Sequence, residues 1–256
     1  MDNYLMFFFV SLVASIAGAI SGIGGGVIIR PLLEFMSDYS IETISFLSGC
    51  TVLSMSSISL MRRRKQNKEF DYRRGTMLAI GSAIGGIAGK VGFNAFHDDH
   101  LGVLQSALLF FMILSLLVYL KIKKLLKPRD IKNSLSCLSL GLALGMSSAF
   151  LGIGGGPINL AVLTYFLSID NKTASLQSLY IILFSQTTSL MFTIVNNNIP
   201  LFPVSLLLYV IVAGIIGGII GSHISCHMTD HAVGKLYGFV LLFVLAITGI
   251  NLISYV

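Results

Sequence analysis

Long apolar stretches alternate with short polar segments along the whole chain. Eight stretches are close to the length of about 20 residues that a helix needs to cross a bilayer. Two shorter ones follow the first and the fifth, and at about 1.5 Å per residue a helix of that length cannot cross alone. The pattern predicts an all-α protein with long helices near 4–20, 40–61, 75–95, 101–120, 134–151, 173–195, 204–221 and 233–255, and short helices near 27–36 and 157–167.

The composition explains why these helices belong in a membrane. Of 256 residues 55% are hydrophobic and 11% are charged, and the mean hydropathy is +0.87. A soluble domain carries about 25% charged residues, so much of this apolar surface must face a lipid bilayer. A polytopic membrane protein is predicted, and a soluble enzyme, a nucleic-acid-binding domain and a disulfide-stapled module are excluded. The three Cys residues are scattered, so they indicate no disulfide framework.

Lys and Arg residues concentrate in two loops, at 62–74 and 121–132. Basic loops between membrane spans stay on the cytoplasmic side, so both loops are predicted to be cytoplasmic. Two spans separate them, which returns the chain to the same side. The net charge of +6 is therefore read as an orientation signal, and no nucleic-acid partner is predicted.

The chain contains an internal duplication. The motif 22–26 (GIGGG) recurs 130 residues later at 152–156, and the GGIAG stretch at 85–89 recurs as GGIIG at 217–221. Two halves of about four membrane segments each are typical of transporters. The predicted division is a first repeat at 1–121, a basic linker at 122–133 and a second repeat at 134–256.

Two topologies are compatible with the duplication. If segments 1–36 and 134–168 each cross once, the repeats are parallel. If each folds back as a hairpin, the repeats are inverted, and only Arg30 and Lys90 lie away from the predicted cytoplasmic side. The hairpin topology is preferred because it also explains the two short helices.

Each glycine run breaks a helix at membrane depth and is followed by the free N–H groups of a new helix. Such a helix start carries a partial positive charge and favours an anion. The predicted substrate-binding residues therefore include Gly24, Gly25, Gly26, Gly154, Gly155 and Gly156. The structural alternative is that these glycines only permit a sharp turn and close packing. Neither a dinucleotide-binding motif nor a phosphate-binding ATPase loop is present, so no cofactor is predicted.

Polar residues within the spans extend the candidate site. Ser48 and Ser178 are equivalent under the 130-residue offset, and Gln177 precedes the second of them. Their side chains can donate to an oxyanion, or they can bond back to a helix. Arg30 can attract an anion from within the membrane, although snorkelling to the interface or a pair with Glu34 would also explain it.

Two other functions are weighed. His223, His227 and His231 would share a helical face and offer metal-ligand types, so a metal-cation carrier is one alternative. The spans carry no carboxylate near their centres, which argues against cation transport. A membrane subunit without transport activity is the other alternative. An enzyme is not predicted, because no nucleophile–base pair lies at membrane depth.

The two motifs at 22–26 and 152–157, each followed by an apolar helix, resemble the paired motifs of the sulfite exporter TauE/SafE family of membrane transporters. The likeness covers nearly the whole chain. It implies transport of small anions, mainly sulfite, sulfonates and sulfur-bearing organic acids, by an inverted-repeat fold with re-entrant hairpins in the inner cell membrane. A homodimer is left open. Reduced Thr-Ser-Leu elements at 47–49 and 177–179 depart from the family pattern and leave the particular substrate open.

Overall fold

The computed structural model describes residues 2–63, 71–95, 100–123, 125–153 and 156–254. Within these ranges the chain forms ten helices and no strand. The first five are α1 (Asp2–Ser21), α2 (Gly26–Met36), α3 (Ile41–Arg63), α4 (Tyr72–Ala95) and α5 (His100–Ile122). The second five are α6 (Ser134–Phe150), α7 (Ile158–Phe166), α8 (Asn171–Val195), α9 (Val204–His227) and α10 (Asp230–Ser254).

The ten helices confirm the eight long and two short helices predicted from the apolar pattern. Seven of those in the described ranges are long and apolar enough to cross a membrane, and α6, with 17 residues, is slightly shorter. The all-helical, polytopic class is therefore confirmed. The division into two repeats around a basic linker stays a prediction.

Each short helix folds back along the helix before it. The ring of Tyr39, which follows α2, lies 5.5 Å from the ring of Phe7 near the start of α1. In the second half, the backbone N–H of Arg129, just before α6, donates to the carbonyl of Tyr165 at the end of α7 over 2.7 Å. The chain thus returns, after α2 and again after α7, to the end from which α1 or α6 started.

Basic residues gather at one end of the helix assembly, which we call the basic face. Here the Lys123 ammonium donates to the Asn171 side chain over 3.1 Å, and Arg74 pairs with Asp130 over 2.8 Å. The hydrogen bond from Arg74 holds the pKa of Asp130 below its usual value. At the other end, the opposite face, the rings of Phe46 and Phe202 lie 5.5 Å apart.

The helices of the two halves pack crosswise. Helix α4 packs on α6 and α8, and in the corresponding way α9 packs on α1 and α3. Helices α3 and α8 meet each other between these pairs, and α5 packs on α10. Exchanging the two halves leaves this pattern of contacts unchanged, which is the packing expected of a duplicated unit.

Small residues bring the crossed helices into backbone contact. A Cβ atom placed on Gly145 of α6 would overlap the carbonyl oxygen of Ser82 on α4, and one on Gly85 would overlap the carbonyl of Leu142. Helices in a membrane gain little from the hydrophobic effect between them, so they associate through such close approaches. The repeated small-residue stretches of the sequence are therefore the contact surface between the halves.

We predict that Gly145→Ala destabilises the protein by about 1–3 kcal/mol, since the added methyl group forces α4 and α6 apart. Thermal unfolding in detergent, followed by loss of the monodisperse peak in size-exclusion chromatography, measures the effect. Gly249→Ala is the matched control, because its nearest neighbour, a carbon of the Phe110 ring, is 3.5 Å away. Equal midpoints for the two variants would contradict the proposed backbone contact.

Candidate functional site

Three glycines of the two motifs adopt a left-handed backbone. Gly22 and Gly24 have φ of +74° and +85°, and Gly152 has φ of +60°. Glycine adopts these angles without the steric penalty that a Cβ brings. They end α1 and α6 and let the chain turn toward the short helices. We call the two segments the first and the second glycine turn, at 22–26 and 152–156.

Each glycine turn rests on the long helix of the other half. A Cβ on Gly22 would overlap Ser175 of α8, and a Cβ on Gly152 would overlap the hydroxyl of Ser45 on α3. Ser45 and Ser175 are separated by the same 130 residues that separate the two turns. The two halves therefore interlock through the same contact, made twice.

The two turns also touch each other where α2 begins. A Cβ on Gly26 would overlap the carbonyl of Ile153 and would lie 2.6 Å from the Ser48 hydroxyl. Gly25 caps α2 and packs against the backbone of Ala14. The predicted open helix start at Gly24–Gly26 is thus closely surrounded by protein. Of the corresponding residues in the second turn, Gly156 packs beside Asn159, and Gly154 and Gly155 lie outside the described residues.

The equivalent serines differ in their hydrogen bonds. The Ser178 hydroxyl donates to the carbonyl of Gly22, so it stabilises the first turn. The Ser48 hydroxyl is fully buried and has no partner among the described residues, and the same holds for the side-chain nitrogen of Gln177. A buried donor without a partner is costly, so Ser48 and Gln177 each carry an unsatisfied donor in the interior.

Arg30 lies at the second glycine turn, although it belongs to the first half. Its guanidinium is 3% exposed and donates to Gln105, which in turn donates to the carbonyl of Phe150 over 2.6 Å. One guanidinium nitrogen is 3.2 Å from the position that a Cβ on Gly152 would take. The snorkelling explanation is therefore wrong, because the charge points into the protein.

Two adjoining cavities lead to this turn from the opposite face. The inner cavity, of about 20 Å³, is lined by Ser45 and Gly152 among others, and the outer one, of about 330 Å³, widens toward Glu42. Lys90 and Thr193 line both cavities. A volume of about 20 Å³ is close to what one water-sized group occupies. The small polar cavity at the second turn thus shares wall residues with the larger cavity at the opposite face, and we call the two cavities together the passage.

Neither Lys90 nor Asn159 was predicted as a site residue. Lys90 looked like a residue at the end of a span, but its ammonium lies 4.0 Å above the ring of Phe93 and lines the passage. Asn159, in the first turn of α7, is 1% exposed, and neither of its amide atoms has a partner among the described residues. Its position directly after a glycine motif was the available signal, because an unpaired amide inside a membrane protein needs a partner.

The predicted histidine cluster does not form a metal site. His223 and His227 lie on the last turns of α9 with ring centroids 4.8 Å apart and the rings tilted by 56°, and His227 bonds back to the His223 carbonyl. Across the described part of the chain, no group of three or more His, Cys, Asp or Glu side chains could hold a metal ion. His231 starts the neighbouring helix α10 without joining the pair in such a group.

A polytopic helical fold with glycine turns beside a polar passage is typical of membrane transport proteins. The sequence profile described as "Sulfite exporter TauE/SafE" matches residues 7–249, so the chain belongs to the sulfite exporter TauE/SafE family of membrane transporters. It is 22% identical over 219 residues to the probable membrane transporter protein YunE of Bacillus subtilis (strain 168), covering 77% of this chain and 80% of YunE.

A second relative comes from an archaeon. The probable membrane transporter protein MJ0441 of Methanocaldococcus jannaschii is 26% identical over 159 residues, which cover 60% of this chain and 59% of that protein. No solved structure matches. The family and both relatives identify the chain as a multi-pass membrane transporter, and the resemblance in the glycine motifs is confirmed.

The two equivalent serines allow a matched stability test. Ser178→Ala should destabilise the protein by about 1–2 kcal/mol, since the Gly22 carbonyl loses its donor. Ser48→Ala removes a hydroxyl that has no partner, so it should leave the stability of the ligand-free protein unchanged or slightly higher. Thermal unfolding of both variants in detergent measures the two changes in stability. A larger loss of stability for Ser48→Ala than for Ser178→Ala would contradict the assigned hydrogen bonds.

Proposed function

We propose that the protein is a secondary transporter of small anions, in particular sulfur oxyanions such as sulfite and sulfonates, and of sulfur-bearing organic acids. The observation that carries this proposal is the position of two cations near the second glycine turn, where Lys90 lines the inner cavity together with Gly152 and the Arg30 guanidinium lies beside Gly152. Among the described Lys and Arg residues, these two alone lie away from the basic face. Lys90 of α4 lines both cavities of the passage, and Arg30 of α2 lies beside Gly152 without lining either of them.

Two cations inside a membrane protein favour an anionic partner. Moving a cation out of water is costly, and an opposite charge in contact with it offsets that cost. Hydroxyls of Ser45 and Thr193 line the same passage, and the Ser45 hydroxyl has no partner among the described residues. Hydroxyls, amides and cations together supply the donors that the several oxygens of a sulfur oxyanion can accept.

The substrate pathway continues from the passage to the centre. The unpaired donors of Ser48 and Gln177, together with Gly26 and the second turn, form the deeper part of the proposed site. The hydrogen bond from Ser178 to the Gly22 carbonyl joins the two halves beside it. The substrate class follows the name of the family, and the outer cavity of about 330 Å³ has room for a small anion.

Alternating access between two inverted repeats is the proposed transport mechanism. The fold-back of α2 and α7 supports the inversion, because α1 then starts at the opposite face and α6 at the basic face. The crosswise packing supports a rocking motion of one half against the other. Because the contacts of α4 with α6 and α8 are equivalent to those of α9 with α1 and α3, the two halves can exchange their roles. The basic face is proposed to be cytoplasmic by the charge rule, in the inner cell membrane, so the passage opens away from the cytoplasm.

Flux of radiolabelled sulfite and simple sulfonates into proteoliposomes tests the proposal. We expect saturable uptake by the wild-type protein. Lys90→Met and Arg30→Met should each lower the flux at limiting substrate by about tenfold or more, because each removes a charge-assisted contact of roughly 1.5–3 kcal/mol.

Lys235→Met is the matched control. Lys235 is exposed at the start of α10 on the basic face, so its loss changes the net charge equally without touching the passage. Size-exclusion profiles establish that each variant is folded. Undiminished flux in folded Lys90→Met and Arg30→Met would overturn the assigned site, and absence of wild-type flux for all sulfur anions tested would overturn the proposed substrate class.

A further inference from the structure

The passage to the second glycine turn has a counterpart at the first turn. Under the 130-residue offset, the passage residues Ser45, Ala149, Gly152 and Thr193 correspond to Ser175, Ala19, Gly22 and Arg63. The first two pairs keep their residue type, and both glycines are left-handed. The fourth pair differs in residue type, because Thr193 at the opposite face corresponds to Arg63 at the basic face.

Arg63 is held against the residues that correspond to the passage wall. Its guanidinium donates to the carbonyl of Ala19 over 2.9 Å, to the hydroxyl of Ser175 over 3.1 Å and to the carbonyl of Lys172 over 3.2 Å. Lys172 corresponds to Glu42, which lines the outer cavity. The side chain is 4% exposed, so it occupies the counterpart of the open passage.

The cation of each passage comes from a different helix. At the opposite face it is Lys90 of α4, whose counterpart on α9 is Ser222, given the 132-residue offset between the GGIAG and GGIIG stretches. At the basic face it is Arg63 of α3, whose counterpart Thr193 is small. Each passage therefore carries one cation in its wall, but only the arginine reaches across to α1 and α8.

We propose that Arg63 is the gating residue of the substrate pathway at the basic face. This inference rests on the proposed function, because it takes the open passage as one end of the anion's route. The structure is then the conformation open to the opposite face. Its closed end is held by the three hydrogen bonds of Arg63, which join the last turn of α3 to α1 and to the first turn of α8.

An anionic substrate is suited to opening this gate. The three acceptors of Arg63 are two carbonyls and a hydroxyl, which are neutral. A charged oxyanion is a stronger acceptor for a guanidinium than a neutral group is. An anion that reaches the centre can therefore replace these acceptors, and the guanidinium then leaves the contact with Ser175. The gate therefore favours anions because it carries a positive charge, as the passage does at Lys90.

Cysteine accessibility in proteoliposomes tests the gate without a transport assay. Cys50, Cys137 and Cys226 are first replaced by Ser, and Ser45→Cys or Ser175→Cys is introduced as the reporter. The probe is the anionic, membrane-impermeant sulfonatoethyl methanethiosulfonate, applied from either side. We expect Ser45→Cys to react from the opposite face, and Ser175→Cys to be protected from the basic face.

Arg63→Ala should raise the labelling rate of Ser175→Cys from the basic face by about tenfold or more, since one broken charged hydrogen bond is already worth about that factor. Arg62→Ala is the matched control, because Arg62 is exposed beside it on the same turn and should leave the rate unchanged. An unchanged rate in folded Arg63→Ala, or rapid labelling with Arg63 in place, would overturn the gate.

The converse substitution keeps the test decisive if Arg63→Ala does not fold. Thr193→Arg places an arginine at the corresponding position of the open passage, and it should slow the labelling of Ser45→Cys from the opposite face by a similar factor. Unchanged labelling there would contradict the proposed equivalence. Both readouts are independent of which anion is carried, so failure of the gate and failure of the substrate assignment are distinguishable.

Discussion

The fold depends on one contact made twice: a glycine turn without side chains seated against a serine of the opposite half. Gly22 lies against Ser175, and Gly152 lies against Ser45. A Cβ on either of these two glycines would overlap the facing helix. A bare backbone at membrane depth must be satisfied by protein or water, and at the first turn Ser178, on the same helix as Ser175, donates its hydroxyl to the Gly22 carbonyl.

This seating places the candidate site between the halves. Once the second turn rests on α3, the passage beside it is walled by helices α3, α4 and α8, and Arg30 of α2 lies beside Gly152 of the turn. A cavity between two interlocked halves widens or closes when one half rotates against the other. A pocket inside one half would be far less sensitive to that motion. Because the charges lie at the interface between the halves, the proposed relative motion of the halves would change their exposure.

The helices and their order were predictable because hydropathy and helix length follow directly from the bilayer. The depth of individual side chains was not. Lys90 is close to the end of its span in the sequence, yet the crossing of α4 with α8 directs it to the passage. Arg63 counted among the loop cations, although the packing of α1 and α8 buries it. The free start of α2 was also expected at Gly26, where the structure places the Ile153 carbonyl.

The differences between the halves carry as much functional meaning as their likeness. Arg30 corresponds to Leu160, Asn159 to Ile29 and Arg63 to Thr193, so the polar groups are distributed unequally on a duplicated backbone. A symmetric pair of repeats would make the two open conformations equal in energy. Arg63 makes three charged hydrogen bonds at the basic face, and Thr193 makes none of that kind at the opposite face. In the proposed mechanism this difference biases the equilibrium between the two open conformations toward closure of the basic face. In the proposed mechanism, a bound substrate needs to offset only about a few kcal/mol to reverse such a bias, and transport requires that both conformations remain within reach.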